Sequence, residues 1–144
     1  MLRLNLPVMK ITRVGPKSPQ GCKIVGRWVL LTAYMACIFT LSAIPGNLLP
    51  DVRVSDKLIH TVEYGLLGVL MYRAFGGHAP TWPRARIAVL SILAVILYGA
   101  TDEFHQFFVP QRVAELADLG ADSLGAGLAV WGWLKATARW TWLQ

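Results

Sequence analysis

Apolar and polar positions alternate along the chain in blocks, not residue by residue. The first block, WVLLTAYMACIFTLSAI, runs from Trp28 to Ile44. No charge falls between Arg27 and Asp51, and Pro45 and Gly46 close the run. A helix over these 17 residues rises roughly 25 Å, short but sufficient for a bilayer when interfacial residues flank it. Three more blocks follow. They are KLIHTVEYGLLGVLMYRAF over Lys57–Phe75, RIAVLSILAVILYGATDEFHQ over Arg86–Gln106 and ADLGADSLGAGLAVWGWLKAT over Ala117–Thr137. The connections GGHAPTWPRA and FFVPQRVAEL carry the Gly and Pro that break helices. VLSILAVILY is β-branched enough to compete as a strand, but it is too long for a buried one. Its neighbours are rich in Leu, Ala and Gly and do not alternate. The pattern predicts an all-α fold, a four-helix transmembrane bundle with short loops. Residues 1–27 read as a basic, unstructured cytoplasmic tail, 28–137 as the membrane domain and 138–144 as a short cytoplasmic end.

Two blocks are interrupted in a way that constrains the fold. The uncharged core of the third covers only residues 87–101, and that of the fourth only 123–134. Neither crosses about 30 Å of hydrocarbon alone. Each reaches spanning length only if its carboxylates enter the outer part of the bilayer. Such carboxylates face one another or a wet cleft, not lipid.

Composition agrees. The 144 residues are 55% hydrophobic and only 15% charged, whereas a soluble domain carries about a quarter. Despite the net charge of +6, this is not the make-up of a disordered chain or a nucleic-acid binder. The two cysteines, Cys22 and Cys37, form neither a disulfide framework nor a metal motif. A signal peptide is a poor reading, because 27 residues with Pro7, Pro16 and Pro19 precede the first apolar run.

Charge sets the orientation. With the N-terminus inside and four crossings, the inner side holds 11 basic residues and no acidic one. The outer half holds Arg53, Lys57, Arg112 and all 8 acidic residues. That Lys/Arg bias places both termini in the cytoplasm. Trp28, Trp82, Trp131, Trp133, Trp140 and Trp142 cluster at the inner ends, where indoles anchor at the interface. The expected location is a membrane, crossed several times, with a polar site facing outward and membrane lipids as neighbours. Nothing in the pattern sets an oligomeric state.

The polar residues form three groups. Asp56, His60 and Glu63 share one helical face over roughly 10 Å, followed by Gly65 and Gly68, which allow close helix approach. Asp102, His105 and Gln106 form a second face, with Glu103 projecting about 100° away, toward water or headgroups. Asp118 and Asp122 lie one turn apart on the fourth helix, beside a small-residue stripe, Ala117, Ala121, Gly125 and Ala129, that suits packing. Arg112 follows Pro110 among carboxylates, placed to pair with one (Asp102 first) or to receive an anionic group.

At this point the chain resembles the VanZ-like family of small bacterial membrane proteins. The resemblance lies in D-K-x-x-H-x-x-x-Y (Asp56, Lys57, His60, Tyr64) and D-E-x-x-Q-x-F-x-x-x-R (Asp102, Glu103, Gln106, Phe108, Arg112). It ends in D-x-x-x-N-x-x-G, represented by Asp118, Asp122 and Gly125. Members usually have Asn where this chain has Asp122, and commonly Gly where it has Gln111. The founding member is associated with resistance to teicoplanin, which acts on cell-wall precursors outside the membrane. The resemblance thus implies a bacterial cytoplasmic-membrane location and a relation to glycopeptide resistance. Together with the one-sided convergence of polar groups, it favours an envelope protein whose outer site binds a lipid-linked or cell-wall-related anionic ligand. Asp56, Lys57, His60, Asp102, Gln106, Arg112, Asp118 and Asp122 are the candidate ligand-binding residues.

Other readings stay open. His60 with Asp56 or Glu63, or His105 with Asp102, makes a base and its orienter for a membrane enzyme acting on an envelope lipid. No Ser or Cys nucleophile motif accompanies them; Ser123 lacks the elbow pattern. No cofactor is required, although Asp56, His60, Glu63, Asp102 and Asp118 have the chemistry to hold a divalent metal. No zinc motif supports one. A purely structural role, with the polar groups pinning the helices together, needs no ligand at all. A pore would need a continuous polar path, and the inner halves are apolar.

Overall fold

Four helices and one 3-10 turn make up the computed structural model, which describes residues 19–49 and 55–140. They are α1 (Pro19–Ser42), the turn Gly46–Leu48, α2 (Asp56–His78), α3 (Arg84–Gln106) and α4 (Leu116–Trp140), with no strand among the described residues. The all-α expectation holds, and VLSILAVILY lies within α3.

α1 departs from the expectation at its start. It begins at Pro19, inside the stretch read as an unstructured tail. Proline is well placed there, because a first-turn residue needs no N–H partner and its fixed φ already suits a helix. Residues 20–27 hold no further proline, and the helix runs through them. The remaining tail (1–18), Pro50 to Val54 with Asp51 and Arg53, and 141–144 with Trp142 lie outside the described residues.

Contacts fix the directions of the helices. The start of α1 meets the end of α2, through Arg27 and Arg73. The start of α2 meets the end of α3, through Tyr64 and Asp102, and the start of α4, through His60 and Asp122. The chain therefore runs up and down, and the loops bearing Arg84 and Arg112 lie at opposite ends.

α2 and α4 make the closest pairing. A Cβ added at Gly68 would stand 3.1 Å from Cα of Ala126, and one at Gly65 3.3 Å from the Gly125 carbonyl oxygen. At Gly125 a Cβ would drive into the carbonyl of Thr61. Only hydrogen fits there, so backbone approaches backbone. Of the predicted stripe, Gly125 and Ala129 meet α2, the unforeseen Ala126 joins them, and Ala117 is exposed. The apolar core, with Leu31, Ile38, Leu67, Met71 and Val95, fills the middle.

The outside is as apolar as the inside. All four helices expose large hydrophobic side chains, such as Val29 at 60%, Leu66 at 49%, Leu97 at 68% and Leu128 at 55%. α1 and α3 are long and apolar enough to cross a membrane by length and composition. α2 and α4 do not join them, because Asp56, Lys57, Glu63 and Arg73 in one and Asp118, Asp122 and Lys135 in the other dilute their apolar runs.

Two loops dock at the acidic end. Gly46 N–H donates to the Pro110 carbonyl at 3.1 Å, and a Cβ on Gly46 would collide with the Gln111 carbonyl. Gln111 itself has φ 59°, the left-handed region. This is the position where the resemblance expects glycine, and the backbone gives the reason.

Candidate functional site

Each polar face predicted from spacing forms, because the i, i+4 geometry of a helix stacks those residues. What joins the faces is a set of specific pairs. His60 Nδ1 lies 2.9 Å from Asp122 Oδ1, with Asp122 fully buried. Tyr64 donates its hydroxyl to Asp102 Oδ2 at 3.2 Å, and Gln106 Nε2 donates to the same oxygen at 3.1 Å. Lys57 Nζ bridges Glu115 at 2.9 Å and Asp118 at 2.8 Å. His60, Asp102, Gln106, Asp118 and Asp122 are all buried, so carboxylates from α3 and α4 do turn inward. A buried charge is tolerated only with such partners. Gly99 completes the fit, since a Cβ there would come 2.9 Å from Asp122 Oδ2.

Several expected pairings are different. His60 takes Asp122 as its partner, not Asp56 or Glu63. His105 does not bond to Asp102; its ring stacks on Phe39 of α1, centroids 4.3 Å apart. Glu103 does not point to water or headgroups. It is partly buried and accepts the Glu115 N–H at 3.0 Å. Arg112 makes no ion pair with Asp102. Its Nε donates to the Ile44 carbonyl and its Nη2 to the Leu41 carbonyl, both at 3.1 Å. It thereby gives the Leu41 carbonyl a second donor beside the Ile44 N–H, satisfies the Ile44 carbonyl just past α1, and sits at the negative pole of that helix.

A cleft of about 810 Å³ opens between α1 and the first turns of α2. Its walls are apolar, with Ile38, Leu41, Ile44, Leu58, Ile59 and Val62, and its polar lining includes Asp56, His60, Glu63, Asp102, Gln106 and Arg112. Two buried oxygens of its lining, Asp102 Oδ1 and Ser42 Oγ, have no hydrogen-bond partner in the protein. Of the predicted ligand residues, Asp56, His60, Asp102, Gln106 and Arg112 line this cleft. Lys57, Asp118 and Asp122 stand behind it, engaged with one another and with His60.

The donor set for a metal also rearranges. Donor atoms of Asp56, His60 and Asp118 lie within 4.8 Å of one another, as do those of His60, Glu103 and Asp122. His60 belongs to both groups, whereas Glu63 and Asp102 of the expected set belong to neither. An imidazole with two carboxylates suits a divalent cation of the Zn, Mn or Fe type.

Sequence reasoning missed Tyr64, Glu103 and Ser42 as site residues. Tyr64 was legible, being four residues after His60 on the same face. Ser42 was not, because only the docking of α1 brings it to α2.

Neither a curated protein nor a solved structure matches the chain. The family model described as VanZ/LLP1 matches residues 28–138, from the middle of α1 to near the end of α4 and including every residue of the cleft. The chain belongs to the VanZ/LLP1 family.

Proposed function

We propose that the protein is a four-crossing membrane protein of the cell envelope, related to glycopeptide resistance, that binds a lipid-linked or cell-wall-related amphiphile in its outward-facing cleft. The apolar exterior of all four helices supports four crossings. α2 and α4 become tolerable spans because their charges face other helices. Exposed Phe104, Phe107 and Phe108 collar the acidic end, as aromatics do at an interface. The Lys/Arg bias supports cytoplasmic termini and an outward acidic end.

The cleft selects the ligand class by what it leaves unpaired. Its basic groups are engaged: Arg112 by the Leu41 and Ile44 carbonyls and His60 by Asp122. Three carboxylates, Asp56, Glu63 and Asp102, share the lining. A head group that donates hydrogen bonds, through sugar hydroxyls or an amine, fits this better than the anionic group expected from Lys57 and Arg112. The apolar walls suit the attached chain. The observation that carries the reading is the buried, partnerless Oδ1 of Asp102, a residue of the cleft lining, since an unmatched buried acceptor costs about 1–3 kcal/mol until a donor reaches it.

The test uses the full chain in detergent. A polyprenyl-linked disaccharide cell-wall precursor should raise its thermal midpoint, and polyprenyl phosphate of the same chain length should do so far less. Asp102→Asn should remove the difference. Equal stabilisation by both lipids would return the reading to an anionic ligand.

A structural role is the second reading, favoured by the same pairs. Lys57, His60 and Arg112 all find partners within the protein. It predicts that Asp102→Asn changes stability and nothing else.

A further inference from the structure

We propose that the opposite end of the bundle carries a second site, one for a phosphate group. A pocket of about 280 Å³ lies between α1 and α2 there, lined by Lys23, Gly26, Arg27, Leu30, Leu70 and Arg73. Three of the six are cations. Every described carboxylate belongs to the other half of the bundle, so none neutralises them.

The two guanidiniums are held in place, and neither is held by an acid. Arg27 Nη1 donates to the Arg73 carbonyl at 3.3 Å. It lies against the bare backbone of Gly77, where a Cβ would come within 2.5 Å of Nη1. Arg73 sits with its Cζ 5.6 Å from the ring centroid of Trp133 on α4. Two like charges lining one small pocket repel unless an anion lies between them. Guanidiniums match phosphate oxygens in pairs, and a lysine adds a point charge.

The surroundings choose the form of the phosphate. Leu30 lines the pocket and is 52% exposed, and exposed Ala33, Cys37 and Leu41 continue its face of α1. An acyl chain has an apolar track along α1, and its phosphate lands among the three cations. Basic pockets between membrane helices hold anionic headgroups in this way. A free phosphate would use the same cations without the track.

The experiment titrates the full-length protein, in neutral detergent, with phosphatidylglycerol, phosphatidylcholine and inorganic phosphate, read by native mass spectrometry and thermal midpoint. Phosphatidylglycerol should bind well above phosphatidylcholine. Lys23→Gln, at an exposed residue that folding does not need, should weaken it roughly fivefold, and Arg27→Gln with Arg73→Gln more than tenfold. Arg84→Gln with Arg86→Gln removes the same charge from the same end, outside the pocket, and should leave binding intact. Stabilisation and competition by inorganic phosphate alone would keep the site and make free phosphate its source. Equal loss in both double variants, no effect of Lys23→Gln, or no preference for phosphatidylglycerol together with no effect of inorganic phosphate would overturn the proposal.

Discussion

The two ends of the bundle handle charge in opposite ways. At the acidic end, His60, Asp102, Asp118 and Asp122 are buried and each finds a partner on another helix. At the basic end, Lys23, Arg73, Arg84, Arg86 and Lys135 are exposed, and no described carboxylate pairs with them. Arg86 and Lys135 instead lie over Trp82 and Trp131, at 4.0 and 5.8 Å from the ring centroids. Long basic side chains can bury their stems and keep their charge in water or among headgroups. Short carboxylates on a helix wall cannot reach out and must be matched where they stand. The asymmetry of the sequence, acids at one end and bases at the other, is therefore also an asymmetry of stability. Charge at the acidic end holds the helices together, while charge at the basic end meets the surroundings.

Removing single residues should expose that difference. The largest effect belongs to Asp122→Ala. It leaves His60 buried without its partner and should cost about 3–5 kcal/mol, read by reversible unfolding in detergent with helical dichroism. Asp122→Asn keeps an acceptor for His60 and should cost much less, which fits the Asn usual in the family. Arg73→Ala, at the basic end, should stay within about 0.5 kcal/mol.

Arg112→Gln comes next, at about 1.5–3 kcal/mol. It loses two charged hydrogen bonds to α1 carbonyls, and hydrogen exchange should rise at the end of α1 while α4 stays protected. If exchange instead rose around Asp102, Arg112 would be pairing with that carboxylate after all. Gly125→Ala should cost about 1–3 kcal/mol through collision with Thr61. Gly127→Ala is its control, because a Cβ there meets nothing within 4 Å, and should be neutral or stabilising. The last effect is a gain. Gln111→Gly relieves left-handed backbone at the cost of chain entropy and should raise stability by up to about 1 kcal/mol.

Helix number, helix direction and the inward carboxylates were legible in the sequence because they follow from periodicity and from the cost of charge in a bilayer. The third and fourth blocks were too short to span unless Asp102, Asp118 and Asp122 turned inward, and they do. The partners within the site were not legible. His60 has Asp56 and Glu63 on its own helix at suitable spacing, yet Asp122 on α4 reaches it, because Gly65, Gly68 and Gly125 bring the two backbones so close. Spacing describes one helix, whereas pairing depends on the distance between two. Arg112 misled for a related reason. Among so many carboxylates a salt bridge was the natural expectation, but the carbonyls of Leu41 and Ile44 around the end of α1 compete for it, and they come into view only when the loops dock. The start of α1 was hidden by Pro19, which breaks a helix in its interior and begins one at its first turn.

The proposed function requires that lipid surround the bundle and that its two ends lie on opposite faces of the membrane. Single cysteines at Val113 and Thr81, both exposed and at opposite ends, test this in a chain with Cys22→Ser and Cys37→Ser. An impermeant maleimide added to intact cells should label Val113→Cys, and should reach Thr81→Cys only after permeabilisation. Equal labelling of both, or the reverse order, would contradict the account.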